Sequence, residues 1–219
     1  MTTRYTHTGS ATVGQSKLQV RTQHSAHTTK ITQALVSEIT KARQLLATTL
    51  AQLNAGLSPE AKKLAAHYFL TPPAGPSSKD LAFIKNIILL TSNGLGSDQT
   101  IKVGETVAKP GDNRNLGGMV AYSRAAASKP HHSTVTDLGD GSKWRTGAMQ
   151  IDQAGLLGGG DWPVCILVHE ATHKYAGTGD YSYFDYSGDK PLATFTDRVQ
   201  ALQNADSYAW FVFKMGRAS

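Results

Sequence analysis

The stretch VCILVHEATHKYAGTGDYSY, residues 164–183, decides how this chain is read. Its apolar run of Val164, Ile166, Leu167 and Val168 predicts a buried helix, opened by Asp161 with Pro163 in the first turn and ended by Gly177. Inside that helix, His169, Glu170, Ala171, Thr172 and His173 form an HExxH pattern. Four residues advance a helix by roughly 400° and 6 Å, so the two imidazoles project side by side and can share one metal ion. Glu170, roughly 100° around the helix, flanks that stripe, where its carboxylate can take a proton from a metal-activated water. The competing reading, two surface histidines on an amphipathic helix, fits the apolar neighbours poorly. Cys165, four residues before His169, reads as core.

A catalytic zinc needs a third protein ligand and an open position for water. No His, Glu or Cys occurs between Lys174 and Ser219, so a downstream third ligand must be one of Asp180, Asp185, Asp189, Asp197 and Asp206, unless it comes from upstream. Asp180 is the best placed of these. Gly177, Thr178 and Gly179 let the chain leave the helix and turn back at once. The alternative for Asp180 is a turn residue that bonds its own backbone.

Working outward, Ile31, Leu35, Ile39, Ala42, Leu45, Leu46, Leu50 and Leu53 recur at helical steps and predict a helix over 28–54 that stops at Gly56. Ser58, Pro59 and Glu60 open a second helix that reaches about Leu70. A third is predicted over 79–92, with Ser78 as its cap and Gly94 past its end. Short runs at 100–103, 118–123 and 147–152, separated by Gly, Asn and Asp, predict a small sheet. A last helix is predicted over 197–214. The order of helices, small sheet and helices gives an α+β fold, mainly helical; the HExxH helix makes the expected domain one of zincin type.

Composition narrows the function classes. The 219 residues carry one cysteine, which excludes a disulfide scaffold and a Cys-rich zinc site. The longest uncharged apolar runs fall far short of the roughly 18 residues that a membrane helix needs. Residues 1–37 contain no Asp or Glu, and Arg4, Lys17, Arg21 and Lys30 supply four of the six net positive charges. That pattern predicts a flexible basic tail over 1–27 ahead of one domain over 28–219. Its sparse Lys and Arg argue against a nucleic-acid arm, and no membrane partner is expected either. No secretory leader is read in this numbering, which leaves cytoplasmic residence or delivery by a non-classical route as the expectations. His131 and His132, after Pro130, read as solvated loop residues.

At two places the residues resemble a known family. His169-Glu170-Ala171-Thr172-His173 followed by Gly177-Thr178-Gly179-Asp180-Tyr181-Ser182-Tyr183 is similar to the aspzincin signature, HExxH then GTxDxxY, of deuterolysin and the lysine-specific metalloendopeptidases. Asn204-Ala205-Asp206-Ser207-Tyr208 resembles a segment that this family carries near its C-terminus. The resemblance implies zinc bound by His169, His173 and Asp180, Glu170 as general base, and Tyr183 assisting at the carbonyl oxygen. It also implies that Asp206 and an acidic residue three positions later receive a substrate lysine, but that later residue is Ala209 here; the alternative for Asp206 is a helix cap or a partner that orients a ligand histidine. Phe184 stands where the signature usually continues with Gly.

The expected function is therefore a zinc-dependent endopeptidase of broad specificity acting on proteins or peptides. Two alternatives share the site. One is a zinc amidase acting on cell-wall peptides; the other is a non-catalytic module that zinc stabilises.

Overall fold

The structure, a computed structural model, describes residues 5–105, 118–120 and 148–217. His131, His132 and the outer ends of the predicted strands at 118–123 and 147–152 lie outside the described residues. Within them the chain forms strands β1 (His7–Val13) and β2 (Ser16–Thr22), then helices α1 (Thr28–Ala55), α2 (Pro59–Phe69) and α3 (Ser78–Leu95). Strands β3 (Gln99–Gly104), β4 (Gly118–Val120) and β5 (Met149–Asp152) come next, then α4 (Gln153–Leu157), α5 (Trp162–Ala176), α6 (Arg198–Leu202) and α7 (Ala205–Arg217).

The five strands form one sheet in the order β1-β2-β3-β5-β4, with β2, β3 and β5 parallel and the two outer strands antiparallel to their neighbours. The predicted tail over 1–27 is corrected here, because residues 7–22 are a hairpin of this sheet. Its turn is Gly14 and Gln15, closed by the Val13–Ser16 pair, with Gly14 at φ 64° as a tight two-residue turn requires. In β2 the residues Leu18 and Val20 point into the core, whereas Lys17, Gln19 and Arg21 point out. The positive charges that suggested a tail are thus the outward half of a strand of period two.

Helix α1 buries Ile31, Leu35, Ile39, Ala42, Leu46 and Leu53 in the core beneath the sheet, the stripe that its spacing predicts. Ser58 and Ser77 cap α2 and α3, each side chain accepting from a backbone N–H three residues on. Gly94 lies inside α3 rather than past its end. The reason is contact: a Cβ there would run into the Tyr175 ring on α5, so the missing side chain lets the two helices meet.

Helices α5 and α7 are the innermost elements. Every residue from Pro163 to His173 on α5 is buried, as is nearly all of α7. The helix predicted over 197–214 is broken at Gln203 and Asn204, and that break faces the loop after α5.

Candidate metal centre

His169 and His173 stand one turn apart on α5, with side chains 10% and 2% exposed. Their Nε2 atoms lie 3.0 Å apart. Each ring is fixed from behind. His169 Nδ1 lies 3.0 Å from Asp206 Oδ1, and His173 Nδ1 lies 2.8 Å from the carbonyl oxygen of Thr178. Both partners only accept, so each Nδ1 carries its ring's proton and each Nε2 presents a lone pair forward.

Asp180 faces those two lone pairs. Gly177, at φ 74°, ends α5 in the left-handed region and turns the chain back, as predicted. Asp180 Oδ1 then comes within 3.1 Å of His169 Nε2 and 2.9 Å of His173 Nε2. Three acceptors this close repel one another unless a positive charge sits among them. A tetrahedral ion with ligand bonds of about 2.0–2.1 Å has ligand-to-ligand edges of about 3.3 Å, close to all three separations. The donor set therefore fits a divalent cation of the zinc type.

The electrostatics agree with that fit. Burial alone would depress His169, but contact with Asp180 and Asp206 holds its pKa well above the ordinary value, so a proton on Nε2 and a cation are alternatives for the same position. Burial opposes ionisation of Asp180, yet the two imidazoles that it faces hold it far below the usual carboxylate range. The site draws positive charge to its centre. The Asp180 side chain, 34% exposed, marks the side that opens to solvent.

A second carboxylate approaches the same point. Glu170 Oε1 lies 3.9 Å from His169 Nε2, farther than Asp180, and its side chain is 4% exposed. His169, Glu170 and His173 bring their ligand-type atoms within 4.8 Å of one another. Tyr183 lies across His169, the two rings nearly parallel at 13° with centroids 5.8 Å apart. Cys165 takes no part in this centre: it is buried in the core, and burial pushes its thiol pKa well up.

Of the two places expected for Asp206, it takes the one behind a histidine ring. Instead of standing ready for a basic substrate side chain, it sits behind His169, with one oxygen on Nδ1 and the other accepting from Phe184 N at 2.6 Å. Ala209, three residues on, is buried. The sequence reading missed two contributors. The Thr178 carbonyl has no side-chain signature, so no sequence signal could reveal it. Asn204 had one, in the short Asn-Ala-Asp segment at the break between two helices. Its Oδ1 accepts from Tyr181 N and Ser182 N, the two residues after Asp180.

Comparisons with known proteins bear on this geometry. Residues 159–213, which contain every residue of the centre, match the family of lysine-specific metallo-endopeptidases, the aspzincins. A solved zinc peptidase from Grifola frondosa has a similar fold, with a TM-score of 0.55 and 20% identity over 82% of this chain and 92% of that one. No curated protein matches the chain. The family match falls on the segment whose side chains gather two imidazoles and two carboxylates around one point, so the likeness to the lysine-specific metallo-endopeptidases is carried by the residues of the candidate centre.

Proposed function

We propose that His169, His173 and Asp180 hold the zinc, that Glu170 is the general base, and that Tyr183 assists at the scissile carbonyl. One observation carries the reading. Both imidazoles have their Nδ1 protons engaged from behind, so that two lone pairs and a carboxylate oxygen converge within 3.1 Å of one another. Bound zinc supplies a Lewis acid that acidifies water and polarises a carbonyl. Glu170, buried beside that point, takes a proton as water attacks the peptide carbonyl and delivers it to the leaving amine. Tyr183, whose ring stacks on His169, offers its phenol to the carbonyl oxygen in this reading as charge develops there. Asp206 holds His169 in its tautomer and orientation, which raises the basicity of the Nε2 that faces the metal.

Specificity is broad in this reading. A lysine-selective pocket needs carboxylates facing the substrate, whereas both oxygens of Asp206 are engaged inward and Ala209 offers no charge. The test combines metal analysis of the purified chain with digestion of a denatured protein. About one zinc per chain is expected, and Glu170→Gln should retain it while losing on the order of 10²–10⁴-fold in turnover. A chain that takes up no metal after reconstitution, or a Glu170→Gln variant of near-normal activity, overturns the proposal.

A further inference from the structure

We infer that Asn204 is the positioning residue of Asp180, setting the third ligand through the backbone on its C-terminal side; this rests on the reading of Asp180 as a zinc ligand. Asp180 leaves α5 on a stretch with glycine on both sides of Thr178, which by itself fixes no path. The path is imposed from across the fold by the break between α6 and α7. Before Asp180, Gly179 N donates to Gln203 O at 2.8 Å, and Ala205 N donates back to Gly179 O at 2.9 Å. After it, Tyr181 N and Ser182 N both donate to Asn204 Oδ1, at 2.9 and 3.1 Å. The ligand residue is thus bracketed on both sides, and one side depends on a single side-chain oxygen.

Asn204 suits that task for reasons visible around it. It is fully buried, so no water competes for the two N–H groups. Its Nδ2 donates to Ser207 Oγ at 3.1 Å, and this fixes the orientation of the amide, since the reverse would set its own N–H groups against those of Tyr181 and Ser182. A functional carboxylate has to be held within about 0.5 Å of its working position, and short buried hydrogen bonds to the flanking backbone do that more closely than a glycine-rich loop can. The same turn carries Asp206, which orients His169. The beginning of α7 therefore sets the distance between a ligand on the loop and a ligand on α5.

The experiment uses the full chain and reads metal binding directly, by chelator competition for zinc and by the visible absorption spectrum of the cobalt(II)-substituted protein. Exchange of the Tyr181 and Ser182 amides is monitored by NMR. Asn204→Ala should weaken zinc binding by about tenfold or more, alter the cobalt spectrum and speed exchange at both amides. Asn204→Asp keeps an oxygen for both N–H groups and can accept from the Ser207 hydroxyl, so it should restore affinity to near the wild-type value. A merely structural role would lower the melting temperature while leaving the folded protein's affinity and spectrum intact, and that result in Asn204→Ala overturns the inference. Where Asn204→Ala does not fold, Ser207→Ala decides: freeing the amide should weaken zinc and speed both amides, and no change in either is equally fatal. Asp180→Ala separates the two levels of the argument. If it leaves zinc affinity untouched, the site reading fails; if it abolishes binding while the Asn204 and Ser207 variants are silent, only the role of Asn204 fails.

Discussion

The hairpin of β1 and β2 and the loop over 177–184 are both short excursions from the helical core, and they are held in opposite ways. The hairpin is fixed by repetition. Seven residue pairs join β1 to β2 and five more join β2 to β3, all through the same backbone groups. The loop, beyond one backbone bridge at Gly179, is fixed by bonds that each depend on one side chain: Tyr181 and Ser182 on Asn204, and Phe184 on Asp206. Repeated bonds tolerate the loss of any one side chain, because none of them depends on a particular residue type. Single bonds do not, and each concentrates its effect on the carboxylate or imidazole that it holds. Substitutions around the loop should therefore act on zinc and catalysis, whereas outward substitutions in the hairpin should act on nearly nothing.

The largest effect that sharpens this contrast is Asp180→Ala. Removing a ligand should weaken zinc by more than the roughly 10–100-fold that loss of an outer partner causes. Asp185→Ala and Asp189→Ala serve as controls. The Asp185 carboxylate accepts from Ser187 and Asp189 within its own loop, and Asp189 pairs with Lys214, so neither should change affinity. Chelator competition on the three variants checks this, and the reverse order would refute the ligand assignment.

Next in size comes Asp206→Ala, which removes the acceptor behind His169 and the anchor of Phe184 N together. Zinc affinity should fall by about 10–100-fold, while the cleavage profile on a peptide library stays the same. A changed profile with intact zinc binding would instead place Asp206 in contact with substrate.

These variants also mark how far the sequence could be read. The helices were legible because their information is local: the stripe of α1, the Ser58 cap with Pro59, and the Gly177 stop each act within a turn or two. The HExxH spacing and the glycines before Asp180 pointed to side chains that the fold does bring together, for the same reason. The hairpin was not legible because β1 turns His7, Gly9 and Ala11 toward the core, which carry little apolar signal, while the charges of β2 mask Leu18 and Val20. For Asp206 the sequence left two roles open, facing a substrate or orienting a histidine, for a different reason. Sequence placed it near the site, but which side of the His169 ring it occupies depends on how α7 packs on α5, and that is a tertiary fact. Asn204 stood within a recognisable segment without a role, since its partners lie more than twenty residues away.

A smaller effect on stability tests the contact that made Gly94 necessary. Gly94→Ala places a methyl group against the stiff Tyr175 ring, whose hydroxyl donates to Gln99 Oε1 at 3.2 Å and so resists displacement. Overpacking of this kind costs about 1–3 kcal/mol, which for a chain of this size lowers the melting temperature by several degrees. Thermal unfolding checks the magnitude, and zinc affinity of the folded variant should change less than in Asp206→Ala. A loss of zinc as large as in Asp206→Ala would show that α3 takes part in holding the centre.

The smallest effect is expected in the hairpin itself, at Arg21. This side chain points away from the core on β2 and lies in register with Lys102 on β3, so two like charges stand side by side on one face of the sheet. Like charges directly across a strand pair are destabilising by a few tenths of a kcal/mol, and Thr is better suited to a strand than Arg. Arg21→Thr should therefore leave stability within about 0.5 kcal/mol of the parent, on the favourable side. The gain should shrink as salt is added, because exposed charges are screened within about 10 Å at 0.1 M ionic strength. Zinc affinity and turnover should not move, since the backbone ladder that holds β2 is untouched. Thermal unfolding at low and high salt, with chelator competition beside it, tests each part. A marked loss of stability would mean that the outward face of the hairpin is packed against another surface, and the contrast between repeated and single bonds would then have to be drawn elsewhere in the molecule.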